Sequence, residues 1–356
     1  MPATRDAGRA HVKTGFHDPR TDPVPVGWLE FFDAARLHPV WDYDVMGLDA
    51  WTARNPPMLA TVSDGVKIVA AFSVLVCRPR LRYRFAPTPG HRLLRPFWAE
   101  VCQPWLSGYP GLAFAPEVAA ADRRPLIRDF ERSLRRRLGP GLLGVLYRAL
   151  GQDFAQDLQG SGRLVKAVDS VAVLENRFAS EDEWIASLPK SRRGGLRRQR
   201  RRIADDPGVV VVGGAGREDL DSAEVATLIQ GHRDRHGKLP LDTRTPPSAA
   251  FLHRFLRRPD VHTLTYTGAD GRLLAVNTLL DHPDSPAKQH WGTLPVDEGG
   301  RQGLLFDSYI HAMRYATRRG VKELTAGRGL PELKATLGFR ARPVYAAAVP
   351  RPVLGW

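Results

Sequence analysis

The chain has 356 residues, 43% of them hydrophobic, which excludes a disordered protein and leaves room for two domains of ordinary size. Lys and Arg number 52 against 38 Asp and Glu, a formal net charge of +14 that favours polyanionic partners: tRNA, other nucleic acids, phosphorylated donors or an anionic membrane face. The two cysteines, Cys77 and Cys102, form no CxxC pair and no Cys/His cluster of zinc spacing, so no metal centre is expected and a reducing cytoplasm is the simplest location.

In chain order, residues 1–25 are polar with no apolar core of a signal peptide, and read as a disordered arm. A first domain is expected over 26–165. It opens with a helix from Trp28 to Leu37, stopped before Pro39. Strands follow at Met58–Val62 and Lys67–Val76, joined at Ser63-Asp64-Gly65, a strong hairpin signal. The run from Ile68 to Cys77 is too short to span a bilayer, and no transmembrane segment is expected. Leu81–Phe85 extends the sheet. Pro96–Cys102 reads as a helix with Pro96 in its first turn. Trp105–Gly111 is an aromatic, turn-rich loop that would floor a cleft or simply pack. Arg124–Leu138 is a basic helix ended by Gly139-Pro140, and Leu142–Tyr147 a strand. The break falls at Leu158–Ser170, where Gln159-Gly160-Ser161-Gly162 is a flexible stretch.

The second domain, 170–356, begins with a strand at Val171–Leu174 and a capping box of Ser180 and Glu183 ahead of a helix. Lys190–Arg202 is the densest charge in the chain, with only Leu196 and Ile203, two helical turns apart, to face inward. Such a run is a solvated helix face, a phosphate- or tRNA-binding surface, or a contact to a phosphorylated acceptor. Arg197, Arg200 and Arg201 are its candidate contacts. His232 and His236 stand at i, i+4, a metal-compatible spacing, but no third ligand accompanies them. They are expected to border the acceptor cleft. Val261–Tyr266 and Leu273–Leu280 form a second hairpin, so hairpin, strand, helix and strand recur in each half and suggest a duplicated unit.

The richest stretch runs from Ala287 to Tyr345. A strand, Lys288–Leu294, leads through Gly299, Gly300, Arg301, Gln302 and Gly303 into a helix from Leu304 to Arg319, stopped by Gly320. Glycines there allow positive φ, and the helix start offers free N–H groups and the positive dipole end, a place that suits phosphates. Arg301 adds a mobile charge. A strand at Val321–Ala326, then Gly327-Arg328-Gly329, a short helix with Glu332-Leu333-Lys334 and a last strand near Val344–Val349 close the chain. His290, mid-strand, has the ordinary pKa of a general base, or is a packed histidine. Asp307 sits in the helix's first turn, where it complements the dipole.

This order, with the helix ending in Arg318-Arg319-Gly320, the strand ending in Gly327-Arg328-Gly329 and the run Glu332–Phe339 (ELKATLGF), resembles the acyl-donor half of a GNAT-fold acyltransferase of the FemAB-like branch. The resemblance covers Ser170–Pro352. It implies an α/β (α+β) chain of two tandem GNAT-like domains, each a mixed sheet flanked by helices, the first degenerate because Glu117–Asp122 offers no glycine turn. It implies an N-acyltransferase that moves an acyl group from acyl-CoA to an amine by direct attack, with no tightly bound cofactor. The donor's anionic part would sit at Gly299–Gly303, assisted by Arg328. Lys334 would approach the donor or the forming oxyanion, and His290, Asp307 and Lys334 are the catalytic candidates. Acceptors are a small-molecule or peptide amine. Two rivals stand beside this reading: a Fem-like transferase that uses aminoacyl-tRNA, and a nucleic-acid-binding protein without enzymatic activity.

Overall fold

The computed structural model describes residues 12–77, 96–236 and 245–356. The first half runs β1 (Val12–His17), α1 (Trp28–Ala34), α2 (Tyr43–Thr52), β2 (Pro57–Asp64), β3 (Lys67–Cys77), β4 (Phe97–Val101), β5 (Leu112–Phe114), α3 (Ala120–Leu138), β6 (Leu142–Leu150), α4 (Gln152–Asp157) and β7 (Leu164–Glu175). The second runs α5 (Glu181–Ser187), α6 (Lys190–Ala204), β8 (Val209–Ala215), α7 (Ser222–Arg235), α8 (Ala249–Leu256), β9 (Val261–Gly268), β10 (Leu273–Leu280), β11 (Ala287–Thr293), α9 (Leu304–Arg319), β12 (Glu323–Thr325), α10 (Pro331–Ala335) and β13 (Arg340–Pro350).

Among the described residues the strands form one mixed sheet, ordered β1-β2-β3-β4-β6-β13-β7-β12-β11-β10-β9-β8, with β5 on β3. The order contains the same unit twice. In the first half β1 to β4 pair antiparallel, α3 and its lead-in carry the chain across, and β6 lies parallel to β4. In the second, β8 to β11 pair antiparallel, α9 crosses, and β12 lies parallel to β11. The strand that follows each unit pairs with the other unit. β7 takes its place beside β12, and β13 runs between β6 and β7.

A buried charge cluster fastens this exchange. Glu131 of α3 is fully buried and accepts both guanidinium arms of Arg163 (2.9 and 2.7 Å), the Tyr147 hydroxyl (2.9 Å) and the Gly355 amide (2.8 Å). These partners come from the residue just before β7, from β6 and from the segment after β13, so one carboxylate ties the exchanged strands to the first half. Helices cover the sheet with apolar cores, with Phe72 stacked on Phe130 of α3 at 3.9 Å in the first half and Trp184 of α5, whose indole donates to Leu337 O (3.1 Å), in the second. No described helix is long and apolar enough to cross a membrane.

Several expectations change here. The arm expected over 1–25 includes a strand, β1, because Val12–His17 pairs antiparallel with His17↔Leu59 at one end and Val12↔Asp64 at the other. Pro96–Cys102 is a strand and not a helix. Phe97, Ala99 and Val101 are buried between β3 and β6, and tertiary burial overrides a weak helical preference. The break expected near 165–170 lies inside β7, which bridges the halves. The strand expected at Leu81–Phe85 lies outside the described residues. The Ser180 cap is present, its hydroxyl accepting from Glu183 N (3.2 Å), while the Glu183 carboxylate reaches Ala179 N (2.7 Å).

Candidate active site

The two parallel pairs differ in one respect that singles out the second half. β4 and β6 register from Phe97↔Leu142 to Val101↔Tyr147. β11 and β12 meet only at Ala287↔Thr325. Beyond that pair, Ala326 N donates to Ala172 O and Ala172 N to Gly327 O, so the chain after β12 follows β7 and leaves the edge of β11 open. The strands part as a fork. β11 also carries a bulge opposite Val276–Thr278, where His290 takes φ 41°.

Side chains from both halves gather at the fork. Lys288, 5% exposed, points its ammonium at the rings of Tyr309 (4.4 Å) and Trp291 (5.3 Å). No described group gives it a hydrogen bond or an ion pair, and burial, helped by the nearby Lys334 ammonium, pulls its pKa down to about 7. Lys334, 4% exposed, donates to Ala326 O and Gly327 O (3.2 Å) and is held by burial at about 8, with Asp169 opposing the shift. The Trp105–Gly111 loop of the first half docks on the same fork. Gln289 accepts from Ser107 N (3.2 Å) and donates to Ser107 O (3.4 Å), and the Tyr109 hydroxyl meets Thr325 Oγ1 (3.0 Å) and Ser285 (3.1 Å). Arg328 lies against Ser107 Oγ (3.4 Å) and Asp169 (3.6 Å).

The glycine turn stands at the open end of β11. Gly299 and Gly303 hold φ 93° and 89°, and a Cβ on Gly300 would lie 2.2 Å from Leu294 O, so the turn needs glycine there. The first helical bond of α9 runs from Asp307 N to Gly303 O (3.0 Å). The N–H groups of Arg301 to Phe306 have no partner among the described residues, and they form the positive end of a helix 16 residues long. α6 packs beside this turn. A Cβ on Gly303 would lie 3.3 Å from the Gln199 side chain, Arg301 pairs with Asp206 just past α6 (3.6 Å), and Arg192 lies 4.9 Å from the Phe306 ring. The two basic features that the sequence keeps a hundred residues apart thus form one surface.

Residues 190–335, from the start of α6 through α10, match the family model described as an acetyltransferase (GNAT) domain. The solved structure of L-PGS from Bacillus licheniformis is similar over 92% of each chain at 11% identity, with a TM-score of 0.59. That of FemX is similar over 90% of this chain and 95% of its own, at 11% identity and a TM-score of 0.56. The chain has a GNAT fold of the FemAB-like kind. No curated protein matches its sequence.

Within the GNAT domain the expected site residues fall into five groups. Gly299, Gly300, Arg301, Gln302 and Gly303 form the turn at the α9 terminus, with Arg301 and Gln302 exposed. Lys334 and Arg328 reach the fork. Asp307 and His290 serve packing contacts: Asp307 is buried and accepts from Tyr266 Oη of β9 (2.9 Å), with His311 at 3.4 Å. His290 Nδ1 meets Thr278 Oγ1 (2.8 Å), and its ring lies edge-on to Trp105 (5.4 Å) and Phe255 (5.5 Å). Burial, with Arg233 adding to it, lowers the His290 pKa to about 3, so the ring is neutral. On α6, Arg200 is paired with Asp182 (2.8 Å), while Arg197 and Arg201 are exposed without an ion pair among the described residues. The rings of His232 and His236, at the end of α7, lie tilted with centroids 4.1 Å apart, His236 Nδ1 bonded to His232 O (2.9 Å), and burial with His236 and Arg235 lowers His232 to about 4. Sequence reasoning passed over Lys288. Its only signal was a lysine between Ala287 and Trp291 in a strand with buried neighbours on both sides.

Proposed function

We propose that the chain is an N-acyltransferase that passes an acyl group from acyl-CoA to an amine, small-molecule or peptide, by direct attack along the fork between β11 and β12. The observation that carries the reading is the fork itself, whose open strand β11 leads into a glycine turn and a helix start where the N–H groups of Arg301 to Phe306 have no partner among the described residues. A phosphorylated carrier fits that turn, and its acyl arm fits the unpaired edge of β11. Lys334 uses two of its three N–H donors on Ala326 O and Gly327 O, which leaves one for the oxygen that gains charge as the amine adds. Asp307 and His290 act as positioning residues here, holding α9 to β9 and β11 to β10. A cytoplasmic location fits the two free, buried cysteines.

A second donor, aminoacyl-tRNA, is favoured by one feature. Arg197, Arg198, Arg201 and Arg202 are exposed on α6, beside the turn, with no ion pair among the described residues. Thiol release from acetyl-CoA, measured with a panel of amines, tests the first reading. Amine-dependent release supports it. No release with acetyl-CoA, but transfer from an aminoacyl-tRNA pool, moves the donor to the second class. Neither activity contradicts both.

A further inference from the structure

The proposed transfer leaves Lys288 without a role. It stands on β11 next to Ala287, the last residue paired with β12, so its amine lies at the closed end of the fork. Nearly all of it is buried, and its Nζ makes no hydrogen bond or ion pair with any described group. The charged and titratable groups that bear on it are Lys334 from α10, a like charge, and Tyr309 from α9, a ring face; Asp169 of β7 acts on Lys334. Desolvation beside a second cation is the arrangement that activates a lysine as a nucleophile. Lys334 has the same burial, but its donors are committed to two carbonyls.

We propose that Lys288 is itself an acyl acceptor, a self-acylation site at the base of the fork. The inference rests on the acyl-transfer reading for its natural donor. The neutral Nζ attacks the carbonyl carbon of a thioester, the C–N bond forms, the C–S bond breaks, and the thiolate leaves with the proton released from Nζ. The product is an amide and a free thiol. The amide is uncharged, which removes the cost of an unpaired buried ammonium. It also fills the fork, so self-acylation limits further transfer.

The test uses the whole chain and two acyl sources. Sub-stoichiometric p-nitrophenyl acetate needs no carrier site, and peptide mass spectrometry locates the acetyl group. Lys288 is expected to be labelled at least tenfold ahead of every other lysine, with a rate that rises through pH 7 and levels above it. Labelling confined to exposed lysines overturns the proposal. Acetyl-CoA without amine is the second source, and Lys288→Arg is expected to abolish the label from either. If acetyl-CoA binds by calorimetry and Lys288 stays unmodified, self-acylation by the donor is refuted. If acetyl-CoA does not bind while the ester labels Lys288, the donor reading fails and the reactive lysine stands.

Discussion

Gln289 holds Ser107 by both its amide and its carbonyl, 182 residues apart in the chain. Through that pair a loop of the first half forms one wall of a fork in the second. The tandem arrangement is therefore part of the candidate site: among the described residues the parallel pair of the first half stays joined, and that half supplies a loop to the fork of the second. Removing the amide strands two backbone groups. Gln289→Leu is expected to cost about 1–3 kcal/mol in denaturant unfolding. The same change is expected to raise hydrogen exchange at Ser107, while Gln289→Glu, which keeps one acceptor, loses less.

Lys288 gives the stability curve a definite sign. Its folded pKa, about 7, lies below the unfolded value near 10.5, so between these limits the unfolded chain binds more protons and stability rises with pH. Below pH 7 both forms are protonated and the burial penalty is complete. Lys288→Met is expected to stabilise the protein by on the order of a few kcal/mol at pH 6, with the gain fading as pH approaches 10. Melting temperatures of both proteins across that range measure it. A gain that grows with pH contradicts the burial argument.

Glu131 and Arg163 make the exchange of β7 and β13 depend on one ion pair. Both side chains are nearly inaccessible, at 0% and 5%. Glu131→Gln leaves a buried guanidinium without its counter-charge and is expected to cost about 3–5 kcal/mol by chemical denaturation. Replacing the exposed pair Arg342–Glu323 is expected to cost no more than about 1 kcal/mol.

The outward arginines of α6 are expected to separate stability from binding. Changing Arg197, Arg198, Arg201 and Arg202 together to Gln is expected to move the melting temperature by only a few degrees, since none has an ion partner among the described residues. Polyanion affinity, measured with a tRNA pool at several salt concentrations, is expected to fall and its salt slope to flatten by about three to four. An unchanged slope places polyanion contact elsewhere.

The second half was legible because local signals coincide there. Gly303 and Gly320 bound α9 with positive φ at both ends, and the helix spans Leu304–Arg319 as its pattern predicts. The hairpins and the repeated unit were legible for the same reason. The exchange of β7 and β13 was not, because alternation marks a strand and says nothing of its neighbour. Pro96–Cys102 misled for a related reason: its burial comes from β3 and β6, both far in sequence. At the site, the glycine turn and the arginine run were visible separately, while their contact through Gln199 and Gly303 depends on tertiary packing. Lys288 was hidden by a general rule, that a lysine in a strand faces water.

The donor's phosphates are expected to lie against the N–H groups at the start of α9, which have no partner among the described residues. Gln302→Glu tests it most directly, because Gln302 is exposed and a carboxylate at a helix start does not weaken the fold. Calorimetric titration with acetyl-CoA is the measurement, alongside the melting temperature. An unchanged or higher melting temperature and at least tenfold weaker binding are expected, because the new carboxylate faces the incoming phosphates. Equal affinity in the variant and the parent protein rules out phosphate contact there and moves the donor away from the glycine turn.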